Sequence, residues 1–230
     1  MKSAIFGDIH ANLEALTAVL ADADEQGCTR NFCTGDIVGY NANPQECTDI
    51  IRGLDCPAVQ GNHDEVATND VPLFRFNPVA AKAIKWTRQH LSDNAKRWLS
   101  ELPMCHVDGD ITIVHATLDH PEQWGYVLNN SHARASLALQ HTPVTFIGHT
   151  HQPRIYIQRD RPVEMSYDLV IKLEPSTKYL INVGSVGLSR DGDQRASYAT
   201  YDQDKQIVEL RRVDYDSGES NRKAIEAGLK

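Results

Sequence analysis

The sequence predicts a single α/β domain, and three observations carry that prediction. Short apolar runs alternate with helical patterns in the first half, and strand candidates joined by polar turns fill the second. No repeat, low-complexity tract or Pro/Ser-rich linker interrupts them, and 230 residues with 41% hydrophobic content supply one substantial core. Residues 1–230 are therefore read as one domain.

Lys2 to Phe6 reads as a strand. Leu13, Leu16, Ala18, Leu20 and Ala21 then recur with mostly helical spacing, which predicts a helix over Asn12 to Ala23. Asn31 to Thr34 is a short strand ending in Gly35-Asp36, and Pro44 to Arg52 is a helix with Pro44 in its first turn. Pro57 to Gln60 reads as a third strand, running into Gly61-Asn62-His63-Asp64. Between Asn77 and Leu102 the apolar spacing gives two helices broken near Ser92-Asp93. Strands follow at Ile111 to His115 and Val144 to Ile147, separated by an irregular stretch and a helix near Ser131 to Leu139. Residues 117–140 are a candidate lid insertion. The remaining strand candidates are Arg154 to Gln158, Val163 to Ile171, Lys178 to Val183, Ala196 to Tyr201 and Gln206 to Val213, more antiparallel in style. Residues 214–230 are polar, either a tail or a short surface helix.

Composition excludes several classes. A formal charge of -8 argues against extended nucleic-acid binding, which needs a basic surface, and 7% aromatics argue against a stacking platform for single strands. No window approaches the roughly 20 apolar residues that span a bilayer, and the chain enters its first strand without a signal-peptide pattern. Cys28, Cys33, Cys47, Cys56 and Cys105 form no CxxC pair and read as reduced thiols. A cytoplasmic location is expected, with no membrane partner.

Asp8, Asp36, Asn62, His115 and His149 share a placement, each at or just beyond the carboxyl end of an apolar strand. In open α/β sheets that edge carries the ligand crevice, so residues distant in sequence converge there. With His10 and His151 they make two carboxylates, one amide oxygen and four imidazoles, without a thiolate. Such a donor set suits Mn, Fe, Zn, Ni or Co. Seven ligands exceed what one ion with an open position needs, and they fit two ions sharing one carboxylate. Two divalent or trivalent ions about 3.5–4 Å apart hold a bridging hydroxide and clamp a phosphoryl group.

Taken singly, each residue has an ordinary explanation. Asp8 or Asp36 would cap the following helix, His115 would sit satisfied in the core, and residues 148–151 would form a plain turn. All of these explanations would have to hold independently. His90, His106 and His141 lie in helical or loop contexts and read as structural or surface residues. His120, His132, Trp124 and Tyr126 fall in the irregular segment after His115, where contact with a substrate competes with local packing. Arg190 opens a polar turn and is a candidate for a distal phosphate, while Arg211-Arg212 reads as a solvated strand end.

Asp8-Ile9-His10, the block from Gly35 to Tyr40, Gly61-Asn62-His63-Asp64, Val114-His115-Ala116 and Gly148-His149-Thr150-His151 resemble, in order, the five motifs of the calcineurin-like metallophosphoesterases. The segment Asn182 to Gly187 resembles the small bacterial and archaeal branch, and the likeness runs from Asp8 to about Tyr201. It implies two facing mixed β-sheets flanked by helices, a four-layer αββα sandwich. It also implies that Asp8, His10 and His151 hold one metal, that Asn62, His115 and His149 hold the other, and that Asp36 bridges. His63 would protonate the leaving oxygen, with Asp64 orienting it or capping the following turn. Where the phosphoprotein phosphatase branch continues its second block with Asp-Arg, this chain has Gly39-Tyr40. That departure weakens a protein phosphatase reading and leaves Tyr40 to reach the substrate. The expected activity is hydrolysis of a phosphate ester or anhydride in a small phosphorylated substrate, a nucleotide among the candidates. Phosphodiesterase action on generic diesters or cyclic nucleotides, hydrolysis of diadenosine polyphosphates and phosphomonoesterase action all remain open, with a non-catalytic scaffold a more distant option.

Overall fold

The computed structural model describes residues 1–69, 73, 77–160 and 162–230. Two mixed sheets face each other. The first is ordered β2-β1-β10-β11-β8 and contains β1 (Lys2–Phe6), β2 (Arg30–Cys33), β8 (Val170–Lys172), β10 (Ala196–Asp202) and β11 (Ile207–Val213). The second runs β3-β4-β5-β9-β6-β7, from β3 (Cys105–Asp108), β4 (Ile111–Val114), β5 (Val144–Ile147), β6 (Arg154–Gln158), β7 (Glu164–Ser166) and β9 (Lys178–Asn182). β1 is parallel to β2 and antiparallel to β10, while β5 is parallel to both β4 and β9. The helices are α1 (Leu13–Glu25), α2 (Pro44–Gly53), α3 (Asn62–Thr68), α4 (Pro78–His90), α5 (Asp93–Ser100), α6 (Asn130–Leu139) and α7 (Ser217–Glu226).

The two-residue period of the strands sorts side chains into layers. On β1, Ile5 points between the sheets with Phe32, Ile113, Phe146, Ile181 and Tyr201. Its neighbours Ala4 and Phe6 face the other way, onto a helical layer that includes Leu16 and Val19 of α1 and Ile51 of α2. On the outer face of the second sheet, Tyr156 and Leu180 pack against Ala133 and Leu137 of α6. Burial of each such side chain contributes about 1.5–3 kcal/mol. The result is the expected four-layer arrangement.

Several elements differ from expectation. Pro57 to Gln60 makes only one parallel bridge, between Ala58 and Cys33, since Pro57 has no N–H and Gln60 donates to Pro103 instead. The run Val163 to Ile171 is two strands in different sheets, with β7 on β6 and β8 on β11. β3 is an edge strand whose Val107 is exposed, so its sequence lacks the alternation that marks a half-buried strand. Arg211 and Arg212 are not simply solvated. Arg211 pairs with Asp22 of α1 at 2.8 Å, Tyr198 donates to the same carboxylate at 2.5 Å, and Arg212 pairs with Asp191. No helix among the described residues is long and apolar enough to cross a membrane.

Candidate metal centre

The strand ends at Phe6, Cys33, Val114 and Ile147 release the chain into turns along one edge of the sandwich. Those turns carry Asp8, His10, Asp36, His115, His149 and His151, with Asn62 opening α3 beside them. Five of the seven, Asp8, His10, Asp36, His149 and His151, have left-handed backbone with φ between 48° and 66°. A non-glycine residue in that region costs of order 1–3 kcal/mol and persists only where its surroundings fix it. Here they do. Val186 and Gly187 donate to the carbonyls of Gly7 and Asp8, Ser185 Oγ donates to the Asp8 carbonyl at 2.8 Å, and Asn182 Nδ2 donates to the Gly148 carbonyl at 2.5 Å. The block Asn182 to Gly187 is thus the brace behind two of the ligand turns.

The potential ligand atoms form two groups. In the first, His10 Nε2 and His151 Nε2 lie 3.0 Å apart, with Asp8 Oδ1 3.3 Å from His151 Nε2. In the second, His115 Nε2 lies 3.2 Å from both His149 Nδ1 and Asn62 Oδ1. Asp36 belongs to both groups, its Oδ2 being 3.7 Å from His10 Nε2 and 3.4 Å from His115 Nε2. Its other oxygen, Oδ1, accepts the backbone N–H of His63 at 2.8 Å.

A cation fits these groups on chemical grounds. Each ring faces a backbone carbonyl with its far nitrogen: His10 with Val38, His151 with Leu188, His115 with Thr34 and His149 with Trp124. A carbonyl accepts, so each far nitrogen carries the hydrogen and each neutral ring turns a lone pair toward its partner. Lone pairs 3.0 and 3.2 Å apart repel unless a positive charge lies between them. Asp8 Oδ1 is buried without a hydrogen-bond partner, as an oxygen reserved for an ion would be. The pKa pattern agrees. Burial opposes charge on His115, but Asp36, Asp8 and the Thr34 carbonyl together outweigh it and push the ring up to about 9, so the pocket favours positive charge. Burial holds His10 well below its ordinary value and takes His149 down to about 3.

Asp8, His10 and His115 are fully buried, whereas Asp36, Asn62, His149 and His151 also line a cleft of about 1030 Å³. His63 lines it too, with its ring 4.8 Å from those of His10 and Tyr40. Burial takes His63 down to about 4. Tyr40 and Arg190 stand together on one rim, where Arg190 Nη2 donates to the Tyr40 hydroxyl at 3.3 Å. Asp64 takes the capping position at the start of α3. Its Oδ1 accepts from Ile37 and Val38 N–H at 2.9 and 3.2 Å, and its Oδ2 accepts from Gly61 at 3.0 Å. It ties the turn after β2 to the start of α3, and burial with the nearby Asp36 charge pushes it up to about 7.

Residues 117–140 divide into two parts. A 3₁₀ turn at Pro121–Gln123 leads to Trp124 and Tyr126, which line the cleft, while α6 docks on the outer sheet face. His120 and His132 are exposed and do not line it. The carbonyls of Thr34, Val38, Trp124 and Leu188 that orient the rings are backbone groups, so their side chains gave no signal.

Gly61 shows how tightly the turns close. A Cβ there would overlap Asp36 N and Oδ1, and a Cβ on Gly187 would overlap the Ile9 carbonyl. We expect Gly61→Ala to lower stability by about 1–3 kcal/mol and to weaken metal retention, read by thermal unfolding with and without added Mn.

Two buried His/Asp clusters sharing a carboxylate at one edge of an αββα sandwich are the features of a metal-dependent phosphoesterase. Residues 1–206 match the calcineurin-like phosphoesterase superfamily domain, and the chain belongs to that superfamily. It is similar to an uncharacterised protein from Methanocaldococcus jannaschii, 37% identical over 230 residues, covering 98% of this chain and 93% of that one. Among solved structures it resembles a metallophosphoesterase from Sphaerobacter thermophilus, with 40% identity, a TM-score of 0.87, and 100% of this chain and 95% of that one covered. A hypothetical protein from Pyrococcus horikoshii shares the fold at 18% identity and a TM-score of 0.81, over 100% of this chain and 94% of that one.

Proposed function

We propose that the protein hydrolyses phosphate esters or anhydrides with two metal ions, drawn from Mn, Fe, Zn, Ni or Co. One ion is assigned to Asp8, His10 and His151, the other to Asn62, His115 and His149, with Asp36 shared. The observation that carries this reading is the position of Asp36 Oδ2, a single oxygen within 3.7 Å of ring nitrogens from both groups. Bound there, the pair of ions supplies a water-derived nucleophile near neutral pH and neutralises phosphoryl charge. The protein's own residues do the rest. The carbonyl contacts of the four imidazoles fix their tautomers. His63 stands at the cleft as the group that hydrogen-bonds the phosphoryl oxygens and passes a proton to the leaving oxygen. An anionic phosphate beside it opposes the effect of burial and favours its charged form. Tyr40 and Arg190 meet the substrate on the rim, where the guanidinium suits a phosphate oxygen pair.

After chelation, activity should return only with added divalent metal. A panel of aryl phosphomonoester, aryl phosphodiester, cyclic nucleotide and diadenosine tetraphosphate, each tested with several metals, separates the substrate readings. Efficient turnover of the last alone supports polyphosphate hydrolysis, and turnover of the diesters alone supports phosphodiesterase action. Metal at 100 times its dissociation constant should raise stability by about 2.7 kcal/mol for each site filled. An unchanged melting temperature with every metal would overturn the metal assignment.

A further inference from the structure

The cleft is far larger than a phosphoryl group requires. Its volume of about 1030 Å³ is that of a pocket for a whole small-molecule ligand, and its two ends differ in chemistry. Beside His10 and His151 stand Tyr40 and Arg190. Beside His115 and His149 stand Trp124 and Tyr126: the Trp124 ring lies 5.7 Å from that of His115, and the Tyr126 ring 4.2 Å from that of His149. Tyr126 nevertheless remains 50% exposed, so packing against His149 does not cover the ring. A half-exposed aromatic ring at the mouth of a cleft is a stacking surface for a planar group.

Polar neighbours narrow the class of that group. Glu65 and Gln123 line the cleft at the aromatic end, and the Trp124 indole N–H donates to Glu65 Oε2 at 3.0 Å. A carboxylate accepts more than one hydrogen bond, so Glu65 keeps capacity for a ligand hydroxyl. An acyl chain or bare aryl group would strip water from these polar groups and give no hydrogen bond back. A nucleoside has the required combination, a flat base for Tyr126 and ribose hydroxyls for the carboxylate. Glu65 and Glu122 also disfavour further phosphate at this end, which directs the charged part of the ligand toward Arg190.

We infer that the shelf formed by Trp124 and Tyr126, with Glu65, is a nucleoside subsite, and that the substrate is a nucleotide lying across the cleft with its base on the His149 side. This rests on the phosphoesterase reading above for the position of the phosphate, so the test reads binding rather than turnover. Calorimetric titration of the Mn-loaded protein with AMP and with methyl phosphate, each as its non-hydrolysable phosphonate analogue, isolates the nucleoside, since both present one terminal phosphorus group and neither can be turned over. Base stacking is worth about 1–3 kcal/mol, so AMP should bind about 5- to 160-fold more tightly than methyl phosphate. Tyr126→Ala should bring AMP to within about twofold of methyl phosphate, and Tyr126→Phe should retain the preference. Equal affinities in the wild type, or equal weakening of both ligands by Tyr126→Ala, would overturn the subsite. AMP preference without turnover of any phosphoester would keep the subsite and reject the catalytic reading. Hydrolysis of a simple aryl ester without AMP preference would do the reverse.

Discussion

Asp36→Asn is expected to reduce the bound metal from two ions per chain to one or none and to lower kcat/KM on the order of 10³-fold, about 4 kcal/mol of transition-state stabilisation. The substitution is chosen because its structural cost is small. Asparagine tolerates the left-handed backbone that Asp36 adopts at φ 52°. Its amide oxygen can still accept the His63 N–H that Asp36 Oδ1 now takes at 2.8 Å. What it removes is the negative charge shared between the two imidazole groups. Elemental analysis after gel filtration gives the stoichiometry, and circular dichroism checks that the fold is kept. Two retained ions with a rate within tenfold of wild type would show that the groups do not depend on a shared carboxylate.

His63→Gln should have the opposite signature, with metals kept and turnover lost. His63 adjoins Asn62 but belongs to neither ligand group, and its backbone N–H, which touches Asp36, survives the change. General acid catalysis contributes about 10²–10⁴-fold, and the loss should scale with the need for a proton. An alkyl leaving group should suffer the full effect. A p-nitrophenolate, stable as an anion, should lose only about tenfold, the remainder reflecting lost hydrogen bonding to the phosphoryl oxygens. Equal losses on both substrates would leave His63 a role in charge stabilisation alone, and an unchanged rate on the alkyl ester would remove the acid role.

The clustering of residues 8, 10, 36, 115, 149 and 151 was legible because each follows an apolar strand run. Strand ends along one sheet edge bring distant residues together whatever lies between them. The two-sheet arrangement was legible through the resemblance of five ordered motifs rather than through periodicity. Periodicity failed where packing or topology overrode it. Val163 to Ile171 looks like one strand, yet its halves pair with β6 and β11 in separate sheets. α3 was missed because Asn62 to Thr68 is only two turns long and begins inside a motif read for its chemistry. Asp64 illustrates another limit. A carboxylate beside a candidate acid suggests either an orienting partner or a cap, and only the fold reveals the three backbone N–H groups it accepts from, that of Gly61 being the cap contact. The pairing of Arg211 with Asp22 across 189 residues was equally invisible to local charge pattern.

The left-handed backbone at Asp8, His10, Asp36, His149 and His151 also limits how this centre can vary. At such positions the main chain admits Gly, Asn, Asp and His readily and resists β-branched side chains. The alphabet open to drift at these five sites is therefore short and composed largely of residues that can still offer a donor atom to an ion. A lineage abandoning catalysis would sooner show Asn or Gly here than Val or Thr. Redesign of the metal preference is confined in the same way: exchange among Asp, Asn and His is conformationally cheap, whereas a β-branched replacement would require rebuilding the turn.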